Sequence, residues 1–444
     1  MKKLIETIKN IWAIEELRNK ILFTLGLLLV YRVGVQIVLP GINPNNIKLG
    51  SGEGILGLLN SFAGGAFNNA SIFALGIMPY ISASIAMQLL QIAYPPFKKL
   101  GSDESGRKRL NSYTRYLTIL VTLVQAVAYI GYLRGQVKDA IIEDNIWWQI
   151  STVVCLITGT LFVMWLGEKI TEKGIGNGTS LIIMAGIIAR LPESLGQEFV
   201  AKSTRGGGGL LIFFIELLVL LATIVGIILL TQGTRRIPVN YARRMVGASS
   251  LSDISGNRDF IPLKVNMANV MPIIFAQAIL FIPTAFLTNS NSAIANAFRD
   301  YTSWQYNLLY VVLVIGFTFF YTALIMNPTQ MSDDLKRNNA FIPGVEPGEP
   351  TSNYIATIID RITLPGAVLL ALIGILPSIA RLFGVTTGLA GFYGGTSMLI
   401  MVGVILDLLQ QIETKLLEKH YDGLMKDGRI QGRTAMNSPA AVAS

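Results

Sequence analysis

The stretch NSFAGGAFNNASIFALGIMPYISASIAMQLL, residues 60–90, joins a glycine-rich, half-apolar segment directly to an apolar one. From Ser71 onward it is apolar enough to enter a bilayer, whereas the part before Ser71 is too short and too interrupted to span one. The residues that give the first part its character are Phe62, Gly64, Gly65, Phe67, Asn68 and Asn69. The sequence therefore predicts a non-spanning segment that leads straight into a membrane helix.

The composition of the chain is that of an all-α polytopic membrane protein. Only 14% of its 444 residues are charged, and its mean hydropathy is +0.53, whereas soluble domains are about one quarter charged. The fifth apolar run is short and interrupted by glycines, so we expect it to lie inside the bundle, shielded from lipid. The hydropathy pattern predicts ten spans, at 21–39, 71–92, 115–133, 149–167, 177–191, 209–231, 266–287, 305–326, 362–380 and 393–411.

The charge distribution predicts that both termini are cytoplasmic. With that orientation the cytoplasmic segments carry 27 of the 36 Lys and Arg residues, when those at span edges are assigned to the adjoining loop. This asymmetry follows the positive-inside rule. Residues 1–20 have apolar side chains near helical spacing, which indicates an amphipathic helix on the membrane surface. Residues 412–444 are expected to form a cytoplasmic tail.

Five spans in each half indicate an inverted repeat. The halves 21–204 and 205–411 would then have opposite orientations, as in many membrane transport proteins. The second span contains GIMPYISASI and the seventh NVMPIIFAQAI, so a Met-Pro pair falls at a similar point in both. Proline inside a helix removes a backbone hydrogen bond, so we expect these two helices to be loosened and to face each other.

Few residues suit metal binding or catalysis, and no cofactor is predicted. The single Cys155 lies in an apolar run and the single His420 in the charged tail, which disfavours a metal site and excludes a disulfide within the chain. An ion-coupled secondary transporter is the alternative, because it too has inverted repeats. It needs ionisable residues near the membrane midplane, and the candidates Arg32, Glu216 and Asp407 lie off-centre in their spans.

Eight motifs, in order between about residues 20 and 430, resemble the SecY family, the channel subunits of bacterial protein translocons. They are SIFALGIMPYISASI (71–85), DESGRKR (103–109), MWLGEKITEKGIGNG (164–178), RRIPVNYARR (235–244), PLKVNMANVMP (262–272), FYTALIMNP (320–328), AFIPGVEPGEPT (340–351) and FYGGTSMLI (392–400). The resemblance implies a channel in the bacterial plasma membrane, with two five-helix halves around a central pore. It also implies SecE- and SecG-type subunits, a SecA-type motor ATPase, the ribosome, unfolded polypeptides and membrane lipids as partners.

The resemblance assigns residues to three parts of this channel. Residues 56–69, with the six residues named above, match the plug that closes the pore from outside. An apolar constriction that excludes ions by dewetting maps onto Ile77, Ile81, Thr179, Ile183, Ile274 and Ile400. The lateral gate would lie between the second and seventh spans, with Ser82, Ser84, Gln88, Asn266 and Asn269. On periodicity alone, each isoleucine fits a core or lipid-facing position better, and Thr179 adds a hydroxyl to the ring unless that hydroxyl is bonded to the backbone.

A plug must leave its site, so we expect residues 56–69 to be weakly held. Gly64 and Gly65 each lower helix propensity by about 1 kcal/mol relative to Ala. Asn68 and Asn69 offer side-chain bonds that compete with a helix. An ordinary re-entrant connector is the alternative interpretation of the same residues.

Two long cytoplasmic loops, 232–265 and 327–361, indicate partner docking. The second loop, which also contains Arg361, has Glu346 where the family commonly has arginine, so we expect the first loop to carry the attraction for an anionic partner. Retention of topology, and local ion pairs of Glu346 with Lys336, Arg337 or Arg361, are the alternatives. The basic residues of the first loop are Arg235, Arg236, Arg243, Arg244, Arg258 and Lys264.

Overall fold

The computed structural model of the chain describes the residues on which all structural statements below rest. They are residues 12, 14–44, 63–94, 96–97, 100, 103–136, 140–142, 145–204, 209–241, 258–286 and 303–426. The amphipathic helix predicted for residues 1–20 falls largely outside them, as does the end of the tail.

The described residues form twelve helices and three short strands. Ten of the helices overlap the ten predicted spans, and the remaining two, α9 and α11, are short connecting helices. The elements are α1 (Glu15–Val35), α2 (Met78–Ala93), α3 (Glu104–Gln136), α4 (Ile146–Lys173), α5 (Gly178–Ser203), α6 (Gly209–Gln232), β1 (Thr234–Tyr241), β2 (Arg258–Lys264), α7 (Met271–Phe286), α8 (Trp304–Ile325), α9 (Pro328–Arg337), β3 (Ala340–Phe341), α10 (Glu349–Leu382), α11 (Thr387–Ala390) and α12 (Gly395–Lys426).

Seven of the described helices are long and apolar enough to cross a membrane, which makes the chain a multi-pass membrane protein. They are α3, α4, α5, α6, α8, α10 and α12. The helices at the other three predicted spans, α1, α2 and α7, do not meet that standard, so the full count of ten stays a prediction. The expectation of a short fifth span is wrong: α5 has 26 residues and continues through Pro192.

The Met-Pro pairs start helices α2 and α7 rather than loosening them, which corrects the expectation from sequence. Pro79 and Pro272 are the second residues of two helices of 16 residues each. Proline is well tolerated in the first helical turn, because the backbone N–H that it lacks has no partner within the helix there. Residues 71–77, predicted as helix, are not helical: Ser71 pairs with Val38 in an isolated β-bridge, and residues 72–77 form turns. Gly76 adopts a φ of 54° just before α2 begins.

The two loops predicted to dock partners, 232–265 and 327–361, meet in one small sheet that no pattern in the sequence predicted. Strand β1 lies in the middle and pairs antiparallel with β2 on one side and β3 on the other. Ile237, Val239 and Leu263 of the sheet pack against Ile355 and Ile359 of α10. These side chains form a core that is separate from that of the helix bundle. The sheet therefore joins loops 232–265 and 327–361 into one rigid unit.

Candidate pore, plug and lateral gate

A central cavity of about 570 Å³ lies between α2, α5, α7 and α12. Five of the six predicted ring residues line it, namely Ile81, Thr179, Ile183, Ile274 and Ile400. Its polar lining includes Asn177, Ser180, Thr231, Lys264 and Asp407. Asp407 lies about two helical turns beyond Ile400 along α12, toward the sheet. The cavity thus combines an apolar level within the bundle and a polar mouth on the side of the sheet.

The sixth predicted ring residue, Ile77, does not line this cavity. Ile77 immediately precedes α2, is 2% exposed and belongs to the main hydrophobic core. Ile81, one turn later, is the residue of this helix that faces the cavity. A role for Ile77 in the ring therefore stays a prediction, and its position is that of a core residue behind the ring.

The hydroxyl of Thr179 is satisfied by the cap of α5. Thr179 Oγ1 donates a hydrogen bond of 2.6 Å to Asn177 Oδ1, which also accepts from the backbone N–H of Thr179 at 3.1 Å. Asn177 is the N-cap residue of α5, a position at which a side-chain oxygen commonly accepts such bonds. The expected partner of the hydroxyl was the backbone, but it is this side chain, so the polar group does not stand free in the constriction.

The predicted gate residues converge on the cavity, but the contact across the gate differs from the expected one. Ser84, Gln88, Asn266 and Asn269 line the cavity, whereas Ser82 is exposed and lies outside the lining. Within the described residues, α2 packs mainly against α3, and α7 packs mainly against α8. The second and seventh spans are therefore not held together by an extensive contact.

Tyr321 on α8 makes a hydrogen bond to α2 that was not predicted from the sequence. Its hydroxyl donates to Gln88 Oε1 at 2.8 Å, and its ring packs on Phe275 of α7 with 5.9 Å between the ring centroids. The side-chain oxygen of Asn266 is buried and has no hydrogen-bond partner among the described residues. The tyrosine among the apolar residues of the FYTALIMNP motif was the only hint of this bond in the sequence.

Residues 63–69 of the predicted plug are tied firmly to the bundle, and residues 56–62, with Phe62, lie outside the described residues. The Arg32 guanidinium donates to the Gly64 carbonyl at 2.9 Å, and the Tyr129 hydroxyl donates to the Phe67 carbonyl at 2.7 Å. Ala66 is fully buried and Phe67 is 4% exposed. For this part of the segment the structure contradicts the expectation that it is weakly held.

The two glycines of the segment adopt backbone conformations that other residues rarely adopt. They were expected only to weaken a helix, so this finding corrects that expectation. Gly64 and Gly65 have φ values of 63° and 91°, in the left-handed region. A Cβ on Gly64 would lie 2.7 Å from the Cα of Gly186 on α5. Asn69 is exposed and its N–H donates to the Gly65 carbonyl at 3.1 Å. The proposed competition of the Asn68 and Asn69 side chains stays a prediction.

The predicted docking residues on the sheet and on loops 232–265 and 327–361 are accessible where the structure describes them. Arg235, Arg236 and Lys264 are exposed on β1 and β2, and Glu346 and Arg361 are exposed on the second loop. Two further predicted docking residues, Arg243 and Arg244, lie outside the described residues, and Arg258 is described only as part of β2. Within the described part of the chain, Glu346 forms no ion pair with Lys336, Arg337 or Arg361.

The three ionisable residues that a transporter would need do not meet at one site. Arg32 bonds to the carbonyl of Gly64, and Glu216 pairs with Lys202 at 2.7 Å. Asp407 lines the cavity at its polar mouth. Their separation gives no support to an ion-coupling site at the middle of the bundle.

The sequence of the chain closely matches translocase subunits from several bacteria. The SecY subunit of the protein translocase of Aquifex aeolicus is 41% identical, with 95% of this chain and 99% of that protein covered. The corresponding subunit of Mycobacterium tuberculosis (strain H37Rv) is 39% identical, with 93% and 97% covered.

Solved structures share the fold. A protein-conducting channel matches with a TM-score of 0.60 and 17% identity over 89% of this chain and 91% of that one. A SecY protein whose plug domain stabilises the closed state has a TM-score of 0.59 at 16% identity, with the same coverage. Sec61 from the canine ribosome-channel complex has a TM-score of 0.58 at 17% identity, also with that coverage. The SecY family model matches residues 71–409. Taken with the identities to the bacterial subunits, this match shows that the chain belongs to the SecY family.

Proposed function

We propose that this chain is the protein-conducting channel of a bacterial plasma membrane. It moves unfolded secretory polypeptides through the central cavity and releases transmembrane segments sideways into lipid. The observation that carries the proposal is the cavity itself, to which four helices from both halves contribute apolar ring residues. Proteoliposomes that contain the chain with its partners should take up an unfolded secretory polypeptide. Uptake of a small solute alone would contradict the proposal.

The ring of Ile81, Ile183, Ile274 and Ile400 provides the ion seal. A hydrated ion loses water in an apolar constriction, and no polar group replaces it there. A polypeptide passes because its side chains and backbone fill the same space, so the ring closes around the moving chain. Thr179 lies one turn from Ile183, at the mouth of the constriction.

Residues 56–69 form the plug, and specific bonds hold its described part at rest. A hydrogen bond to a charged donor such as Arg32 stabilises by about 1.5–3 kcal/mol, and a neutral bond such as that from Tyr129 by about 1 kcal/mol. These contributions are small enough for a polypeptide in the pore to offset. Opening exchanges the contacts of Arg32 and Tyr129 with the plug for contacts with water or with the moving chain.

A cysteine placed at Ala66 should report this exchange. In a Cys155→Ser background, Ala66→Cys is expected to be unreactive toward a polar maleimide in the idle channel, because residue 66 is fully buried. It should become reactive when a polypeptide is trapped in the pore. Asn69→Cys, at an exposed position, is the matched control and should react in both states. Equal labelling of residue 66 in the idle and the occupied channel would contradict the assignment of this segment as the plug.

The lateral gate lies where α2 meets α7 and α8. Within the described residues, the only hydrogen bond across it is the neutral pair of Gln88 and Tyr321. Side-chain hydrogen bonds between membrane helices contribute about 0.6 kcal/mol on average. An apolar signal sequence that enters between the helices buries far more, at roughly 25 cal/mol per Å² of apolar surface. A single neutral bond therefore bridges this seam, and the burial of an apolar segment can offset its loss.

The unit formed by the sheet and by loops 232–265 and 327–361 docks the partner that supplies the polypeptide. With both termini cytoplasmic, the β1–β2–β3 sheet faces the cytoplasm and presents Arg235, Arg236 and Lys264. These cations suit ribosomal RNA, whose phosphates attract them in a salt-dependent manner. The related canine channel occurs in a ribosome complex, which supports the ribosome as partner. A SecA-type motor is the alternative polypeptide source, and SecE- and SecG-type subunits complete the assembly in this proposal.

Charge reversal on β1 should weaken ribosome binding. Arg235→Glu combined with Arg236→Glu replaces attraction by repulsion, so we expect a large loss of affinity and a flatter dependence on salt. Glu346→Arg should leave binding intact or tighten it. Lys108→Glu, an exposed residue on α3, serves as the control. The measurement is the affinity of each variant for the ribosome at two salt concentrations. The assigned loop roles are reversed if Glu346→Arg abolishes binding and the β1 variant is silent.

A further inference from the structure

Asp407 on α12 is the only acidic residue among the described residues that line the central cavity. It is exposed, and it forms no ion pair with another described residue. The apolar ring excludes ions without any charged group, so the seal does not account for a carboxylate at this place. The carboxylate is therefore available to a group that enters the cavity.

The carboxylate belongs to the face of α12 that lines the cavity. Ile400, Gly403, Val404 and Asp407 all line it, and residues at this spacing share one face of a helix. A rise of 1.5 Å per residue places Asp407 about 10.5 Å from Ile400 along the helix axis. Asp407 thus lies along the proposed polypeptide path, beyond the ring on the side of the sheet.

The hydrogen bond at the gate lies at the same depth as Asp407. On α2, Ile81 and Gln88 line the cavity seven residues apart, which is also the spacing of Ile400 and Asp407 on α12. In the predicted topology both helices run toward the cytoplasm, as the second and the tenth span. Since Ile81 and Ile400 are assigned to one ring, Gln88 and Asp407 are level with each other. An apolar segment that parts the helices at Gln88 therefore has Asp407 across the cavity, near its cytoplasmic end.

Neutral polar groups of the cavity are already bonded within the protein. The amide oxygens of Gln88 and Asn177 accept hydrogen bonds from the hydroxyls of Tyr321 and Thr179, at 2.8 Å and 2.6 Å. A carboxylate without an internal ion pair selects a different class of group, because it accepts charge-assisted hydrogen bonds from lysine and arginine. The chemistry of Asp407 therefore fits a cationic side chain of the polypeptide.

We propose that Asp407 binds the cationic residues that precede an apolar segment while that segment enters the gate. Lysine and arginine flank membrane segments on the cytoplasmic side, and Asp407 holds such a flank at the cytoplasmic mouth while the segment moves into lipid. Lys264, the other charged residue of the lining, repels the same cations and leaves Asp407 as their favoured contact. This inference rests on the proposed channel function and adds to it a substrate class, apolar segments with a cationic flank.

The test compares two forms of one secretory polypeptide, with two lysines or two glutamates directly before the apolar segment of its signal sequence. The readout is the ratio of transport of the lysine form to transport of the glutamate form by the reconstituted channel with its partners. Opposite charges 4 Å apart in water favour association about fivefold, so Asp407→Asn should lower the ratio by about that factor. Asp407→Lys should lower the ratio further, because it repels the lysine flank and attracts the glutamate flank.

A matched control separates this contact from a general effect of charge. Glu413 is exposed on the same helix and does not line the cavity, so Glu413→Lys changes the net charge as Asp407→Lys does but should leave the ratio unchanged. A ratio that neither Asp407 variant alters would overturn the assignment, and so would an equal fall in Glu413→Lys. Failure of the unsubstituted channel to transport either form would instead contradict the proposed function.

The spacing of the flank supplies a second arm of the test. About three residues of extended chain span the distance between the levels of Ile400 and Asp407. A flexible spacer of about ten glycine and serine residues between the charges and the apolar segment no longer fixes the charges at the mouth. With the spacer present, Asp407→Asn should therefore leave the ratio unchanged. A ratio that still falls as much as without the spacer would contradict a direct contact with Asp407.

Discussion

Replacement of both Ile183 and Ile274 by serine is expected to make the idle channel conduct ions. Ile183 lies on α5 in the first half of the chain and Ile274 on α7 in the second half, and both line the central cavity. Two hydroxyls at the constriction offer hydrogen bonds to water, so the level that was dry becomes wet and ions no longer have to shed their hydration. The effect should appear as a raised conductance in planar bilayers without any polypeptide present.

Two control variants separate a broken seal from a damaged fold. Ile279→Ser is on the same helix as Ile274 but is 40% exposed and does not line the cavity, so it should not change the conductance. Ile77→Ser places a hydroxyl in the core, where an unpaired buried polar group costs about 1–3 kcal/mol. That variant should lower the thermal stability of the protein and leave the ion conductance of the idle channel nearly unchanged. An unchanged conductance in a folded Ile183→Ser, Ile274→Ser channel would remove the ring assignment.

A covalent link across the gate is expected to stop the release of membrane segments and to block signal-sequence insertion. In a Cys155→Ser background, Gln88→Cys and Tyr321→Cys occupy the two ends of the bond between α2 and α8. A cleavable bifunctional thiol reagent replaces a bond of about 0.6 kcal/mol by a covalent one that no apolar segment can part. Insertion should therefore fall to background and return after the reagent is cleaved.

The matched control places the same link inside one half. Phe275 on α7 and Phe317 on α8 stack with 5.6 Å between their ring centroids. If the halves move as units, a link between cysteines at these positions should leave insertion intact. Full insertion through the channel with residues 88 and 321 linked would contradict the gate assignment, whereas a block by the control link would show that α7 and α8 move apart.

The positions of the helices were predictable from sequence because the apolar runs are local. The length of α5 was not, since its last turns carry Lys202, which pairs with Glu216 on α6, and Glu198, which bonds to Thr386 after α10. Pro79 and Pro272 both fall in the first turn of a helix, and the role of a proline depends on whether it lies in that turn or deeper in the helix. Hydropathy does not locate that boundary.

The site residues were predictable only where a motif supplied them. Ile81, Ile183, Ile274 and Ile400 have no periodicity that separates them from core residues, and the family resemblance alone placed them in a ring. The pairs Arg32–Gly64 and Gln88–Tyr321 join residues far apart in sequence. No pattern within one span predicts such a partner, so the anchoring of residues 63–69 and the bond between α2 and α8 required the structure.

The most direct test of the channel is to find the path of a polypeptide that is halfway across. A photo-crosslinking amino acid at residue 183 should attach to a secretory polypeptide trapped in the reconstituted channel, whereas the same group at the exposed residue 279 should attach to lipid. We expect a polypeptide adduct at residue 183 that is no longer formed once the polypeptide has been released. Efficient transport with no adduct at residue 183, and with adducts at residue 279, would place the path outside the central cavity and contradict the account.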